Sequence, residues 1–181
     1  MMLRMVAGDL GKLLALVLRH RPEAGGVTLD PAGWVDVDEL VAGLRRSGHH
    51  VTADDVRRAV DADSKGRYEL VDGRIRAAQG HSVDVELGLA PVAPPPVLYH
   101  GTVERFVPAI LAQGLRPGSR QSVHLSADVA TAQAVGRRRG APVVLVVDAA
   151  GAHAAGREFR RASNGVWLTD ALPPGYLRRL S

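Results

Sequence analysis

The 181-residue chain contains no cysteine. Disulfides, thiolate metal centres and cysteine nucleophiles are therefore excluded, and the absence fits a cytoplasmic protein. Aromatic residues are scarce, at 4%, so the cores must be aliphatic. No apolar run reaches the roughly 20 residues that span a bilayer, and no basic-then-apolar leader opens the chain, so no membrane partner is expected. Lysine is nearly missing, with only Lys12 and Lys65. The remaining cations are arginines, which fork onto phosphate, although a codon bias gives the same preference.

Recognised catalytic signatures are absent as well. There is no Walker loop, no Gly-x-Gly-x-x-Gly fingerprint and no Gly-x-Ser-x-Gly elbow. The seven histidines are scattered without metal-binding spacing, so no metal is expected. What is present is charge, unevenly placed. Residues 1–90 carry 12 Lys and Arg against 14 Asp and Glu, and residues 91–181 carry 11 against 5. A basic second half favours a polyanion, or is simply a solvated basic face.

Hydrophobic spacing divides the chain in two. Leu10, Leu13, Leu14, Val17 and Leu18 form one stripe of a helix over about 9–20, which Pro22 ends. A second helix follows Asp36 as N-cap, with Glu39 completing what resembles a capping box and Gly48 as a stop. A third starts at Thr52, with Val56, Ala59 and Val60 facing inward. "RYELVDGRIRA" then gives two short strands around Asp72-Gly73, the turn that favours a hairpin. Three helices followed by a hairpin is the order of a winged helix. "LAPVAPPPV" reads as a stiff linker, with a boundary near residue 90. Beyond it "VLYHGT", "SVHLS", "PVVLVVDA" and "GVWLT" read as strands and "VERFVPAILAQG" and "DVATAQAVGRRR" as helices. The second half is mixed α+β.

Four places gather polar groups that packing does not require: Arg19-His20; "RIRAAQGHS" at 74–82, with Arg76; "YHGT" at 99–102, with His100; and "GSRQSVHLS" at 118–126, with Arg120 and His124. Each has a plain structural alternative. Arg19 and His20 suit the carbonyl end of a helix dipole, His100 and His124 suit core or edge positions with a backbone partner, and Arg76 suits a solvated hairpin. Arg137-Arg138-Arg139 reads as an exposed helix end, with nucleic-acid contact as the other reading. Arginines and histidines without an obvious carboxylate base suit phosphate binding better than proton abstraction from carbon.

"LRHRPE", "GWVDVDEL", "KGRYEL", "IRAAQGHS", "YHGT", "GLRPGSRQSVHLS" and "NGVWLT", in that order, resemble the RNA 2′-phosphotransferase family of the bacterial KptA type. The resemblance covers essentially the whole chain. It implies an α+β protein with a winged-helix RNA-binding lobe over 1–90 and an ADP-ribosyltransferase-like, NAD-binding lobe over 91–181, working as a monomer. It further implies a reaction in which an internal RNA 2′-phosphate attacks the nicotinamide-bearing ribose carbon of NAD. The ADP-ribosylated RNA then resolves to 2′-hydroxyl RNA and ADP-ribose 1″,2″-cyclic phosphate. No side-chain nucleophile is needed, because a phosphate monoester is largely dianionic at neutral pH.

The family's catalytic Arg-His-Arg-Arg set falls on Arg19, His20, Arg76 and Arg120. By this likeness Arg19 and Arg76 grip the RNA phosphate, His20 orients phosphate and ribose, and Arg120 stabilises charge in the second step. His100, Gly101 and Thr102, with His124, Leu125 and Ser126, fall on the NAD-binding positions. The sequence departs from the family pattern at Gly11 (usually serine), Tyr68 (phenylalanine), Ala78 (asparagine) and Ser122 (histidine). Two alternatives remain open: ADP-ribosyl transfer to terminal phosphates of RNA or DNA, and a non-catalytic winged-helix nucleic-acid binder.

Overall fold

The protein is described by a computed structural model over residues 7–181. Residues 1–6 of the expected first lobe lie outside the described residues. The chain forms mixed helix and sheet and divides between Gly88 and Leu89 into two compact units.

In the first unit α1 (Ala7–Arg19) buries Leu10, Leu14, Val17 and Leu18. The i, i+3, i+4, i+7 spacing thus becomes one face of a core shared with Leu40 and Leu44 of α2 (Val37–Arg46), Val56 of α3 (Ala53–Asp61) and Ile75. Each such side chain removed from water contributes about 1.5–3 kcal/mol. The end of α1 is tight, since both His20 and Arg21 donate their backbone N–H to the carbonyl of Leu16.

Asp36 caps α2, its carboxylate accepting from the amides of Asp38 and Glu39. The reciprocal capping box lies one helix later. Thr52 Oγ1 accepts from the Asp55 amide, and the Asp55 carboxylate accepts from the Thr52 amide.

The sheet of this unit has the order β1 (Val35–Asp36), β3 (Arg74–Ala77), β2 (Tyr68–Val71), all antiparallel. Asp72 and Gly73, at φ 48° and 76°, make the turn between β2 and β3, the two left-handed residues a two-residue hairpin requires.

The second unit carries two antiparallel sheets. One is ordered β4 (Val97–Val103), β6 (Pro142–Asp148), β9 (Leu177–Arg179). The other is β5 (Val123–Leu125), β8 (Trp167–Thr169), β7 (Phe159–Arg161). They are joined where Tyr99 and Ser126 exchange backbone hydrogen bonds of 2.9 and 2.8 Å. The apolar run of β6 buries Val144, Leu145, Val146 and Val147 in succession, as a strand covered on both faces must. Leu98, Leu125, Val147, Phe159 and Trp167 form the centre of the core.

Three helices complete the unit: α4 (Val107–Gln113), α5 (Val129–Gly136) and α6 (Ala149–Ala154). Helix α4 starts four residues later than the sequence pattern suggests, because Val103 ends β4 and Glu104–Phe106 form a 3-10 turn before the helix. The Pro-rich stretch is not simply a linker. Val92 N–H donates to the Phe159 carbonyl, and the Pro96 carbonyl accepts from Ala149 and Ala150. Proline has no N–H of its own but keeps its carbonyl, so the segment still pins itself to the second unit.

Candidate active site

In the first unit two expected residues lie together at the end of α1. Arg19 and His20 stand there, and the loop after β3 wraps them. The Ser82 and Val83 amides both donate to the Arg19 carbonyl, at 2.9 and 3.4 Å, and Ser82 Oγ lies 2.9 Å from His20 Nδ1. Gly80 has φ +92°, and a Cβ there would stand 3.6 Å from Arg19 Cζ. Its left-handed backbone admits glycine with little strain and lays the peptide against the guanidinium.

Between Gly80 and Ser82, His81 is 2% exposed. Burial, followed by the fields of Arg19, His20 and Arg76, pushes its pKa down to about 4. His81 is therefore neutral at physiological pH, and it lies within the fields of Arg19, His20 and Arg76.

Arg76 is held from several sides. Its Nε donates to Glu69 Oε2 at 2.6 Å, and its Nη1 faces the carbonyls of Ala32 and Leu87 at 3.3 Å each. Its guanidinium carbon stands 4.6 Å from the centre of the Trp34 ring. This leaves Nη2 uncommitted among the described residues, so Arg76 is a pre-oriented single-nitrogen donor rather than an open fork. Glu69 and Trp34 were not singled out from sequence.

In the second unit His100 lies on β4 and His124 on β5. A carbonyl only accepts, so the 3.1 Å contact from His100 Nδ1 to the His124 carbonyl fixes the Nδ1–H tautomer. Burial and the field of Arg139 lower the His100 pKa, against the opposing effect of that hydrogen bond. The result is a neutral ring with Nε2 as an acceptor.

His100, His124 and Ser126 are half-buried, whereas Thr102 and Leu125 are 3% and 1% exposed. Leu125 can serve a ligand only through its backbone, because its side chain belongs to the core. Gly101 has a packing reason of its own: a Cβ there would collide with the Ala132 carbonyl of α5.

Arg120 is exposed in the bend before β5. Partial desolvation and the fields of Arg139 and Arg138 lower its basicity, yet as an arginine it stays cationic. Arg137–Arg139 form an exposed 3-10 turn after α5.

With a neutral ring and an acceptor Nε2, His100 could hold a hydroxyl-bearing ligand without adding positive charge beside it. Among the described residues no group of three His, Asp or Glu is placed to hold a metal ion, and no helix is long and apolar enough to cross a membrane.

Residues 6–171 match the family model described as RNA 2′-phosphotransferase, Tpt1 / KptA family. The chain belongs to this family. Among its relatives, a probable RNA 2′-phosphotransferase of Agrobacterium fabrum is 56% identical over 92% of this chain and 90% of its own. One of Hahella chejuensis is 52% identical over 93% and 92%, and one of Streptomyces coelicolor is 50% identical over 92% of each. The family sequence scaffold is thus present nearly end to end. Two of the departures from its usual pattern, Gly11 and Tyr68, meet in this structure. The Tyr68 hydroxyl donates to the Gly11 carbonyl at 2.5 Å, a bond that phenylalanine cannot make.

Proposed function

We propose that the protein is an NAD-dependent RNA 2′-phosphotransferase. The observation that carries the reading is the convergence of Arg19, His20 and Arg76 on the loop 80–83, in a chain of this family. Positively charged or ionisable groups, with the neighbouring Glu69 carboxylate engaged by Arg76, suit a reaction whose nucleophile is the substrate's own phosphate. The first unit is read as a winged-helix lobe for RNA and the second as an ADP-ribosyltransferase-like lobe for NAD. The order of three helices and a hairpin supports the former.

Arg19 and Arg76 hold the RNA 2′-phosphate, each charge-assisted hydrogen bond contributing about 1.5–3 kcal/mol. Arg76 does so through Nη2, its other nitrogens being used to orient it. His20 orients the phosphate and carries a proton when the second step needs one. Arg120 stabilises the charge that gathers on phosphorus in that step. His100, His124 and Ser126, with the backbone of Gly101, Thr102 and Leu125, hold the dinucleotide. When bound, NAD supplies a ribose carbon activated by its nicotinamide leaving group. His100 accepts a ribose hydroxyl at Nε2, its orientation fixed by the His124 carbonyl.

The test is incubation with NAD and an RNA carrying one internal 2′-phosphate. Nicotinamide release with loss of the phosphate from RNA is expected. No nicotinamide release overturns the reading. Release with the phosphate retained under ADP-ribose redirects it to ADP-ribosyl transfer.

A further inference from the structure

Arg19 and His20 sit at the end of α1, and the Gly80–Val83 loop is tied to them by two different kinds of contact. The backbone tie is complete without any side chain: the amides of Ser82 and Val83 both end on the Arg19 carbonyl. The Ser82 hydroxyl adds nothing to that attachment. It is directed instead at a single ring nitrogen, His20 Nδ1, at 2.9 Å.

A hydroxyl is unlike the other partners that orient histidines. A backbone carbonyl accepts only, as at His100, and a carboxylate favours the imidazolium. A serine hydroxyl donates to a bare Nδ1 and accepts from a protonated one. With Ser82 as partner, Nδ1 is therefore occupied in both charge states of His20, and a proton exchanged with a ligand is exchanged at Nε2.

We propose that Ser82 is a positioning residue for the reaction: its hydroxyl pins His20 by Nδ1 and so turns Nε2 towards the substrate phosphate. The assignment rests on the proposed function for its catalytic consequence and on geometry alone for the Ser82–His20 coupling. Among the described residues, the charged and titratable groups around His20 include Arg19 and Arg21 on either side of it in the chain, His81 in the packed loop, and Arg76. Glu23 pairs with Arg21 at 3.2 Å and Glu69 with Arg76 at 2.6 Å. The contact at Nδ1 is thus made by a neutral hydroxyl.

Ser82→Ala removes only the hydroxyl and keeps the backbone tie, so the variant should fold. Ser82→Thr restores the hydroxyl. With NAD and 2′-phosphorylated RNA, Ser82→Ala should lower kcat on the order of ten-fold, leave KM for NAD within about two-fold, and displace the limb of the pH–rate profile that reports His20. Ser82→Thr should recover most of the rate and the original profile. In the free proteins, long-range ¹H–¹⁵N correlation of the His20 ring should show the Nδ1 resonance shifted by loss of its hydrogen bond in Ser82→Ala and returned in Ser82→Thr. Unchanged kcat and pH profile in Ser82→Ala overturns the catalytic role, and an unchanged Nδ1 resonance overturns the coupling itself. The ring spectrum is read without substrate, so it decides the coupling even if the wild-type protein shows no phosphotransferase activity.

Discussion

Protonating His81 should cost the first unit stability, and the amount follows from its surroundings. Its pKa is about 4 in the folded protein, held there by burial and then by Arg19, His20 and Arg76, against ~6.5 in an unfolded chain. The unfolded state binds more protons between these values, so stability rises with pH across the window. The contribution is complete above ~6.5 and is lost as pH falls towards 4. A separation of about 2.5 units corresponds to roughly 3 kcal/mol at full protonation, of which ~2 kcal/mol is lost between pH 7 and pH 5. Hydrogen-exchange protection of the α1 and β3 amides, corrected for intrinsic rates, measures this within the first unit. The comparison is between His81→Gln and the wild type, each against itself at the two pH values, so any general weakening by the substitution cancels. The wild type should lose ~2 kcal/mol more than the variant. An equal loss in both proteins would mean that His81 already carries its proton at pH 7 or reaches solvent, and the burial that holds its pKa down would be refuted.

Three further outcomes follow from individual contacts. Tyr68→Phe deletes the buried bond to the Gly11 carbonyl and should lower unfolding stability by about 1 kcal/mol; an unchanged denaturation midpoint would mean that the hydroxyl is not bonded there. Gly101→Ala drives a Cβ into the Ala132 carbonyl, where neither strand nor helix can yield cheaply, and should destabilise the second unit by about 2 kcal/mol or more; a variant melting like the wild type would show that β4 and α5 do not approach so closely. Arg120→Ala, on the proposed function, should slow the second step more than the first, so that ADP-ribosylated RNA accumulates on a denaturing gel. Equal slowing of both steps would remove that role from Arg120.

The elements legible in the sequence are those whose signal is local. The stripe from Leu10 to Leu18 gives α1, the Asp36 carboxylate caps α2, and the four-residue buried run of Val144–Val147 marks β6. Strands β7 and β9 escape because their sequences, "FRR" and "LRR", each hold one apolar residue followed by two arginines and show neither an apolar run nor alternation. Neighbouring strands and turns, rather than their own residues, set their pairing. The Pro-rich segment is misread as linker alone for a related reason. Its composition reports stiffness, whereas its attachment to β7 and α6 depends on the carbonyls and amides of residues far along the chain.

The site shows the same division, with one exception that the sequence already held. Arg19 and His20 suggested both a helix-end cap and an anion site, and their place at the end of α1 is compatible with each. Ser82 against His20 Nδ1 joins positions 62 residues apart, which no periodicity discloses. Glu69 is different. Once Asp72-Gly73 is taken as a two-residue turn, Val71 must face Arg74, Leu70 must face Ile75, and Glu69 must face Arg76, as the register confirms. Opposite charges directly across an antiparallel pair attract, so the carboxylate that orients Arg76 follows from the hairpin by counting. With Nε bound to Glu69 and Nη1 at two carbonyls, Arg76 is restricted before any ligand arrives. On the proposed function, less conformational entropy then remains to be lost when Arg76 binds the phosphate. A solvated hairpin arginine, the plainer reading of Arg76, would have no use for a 2.6 Å carboxylate contact, two carbonyls and an indole face at once.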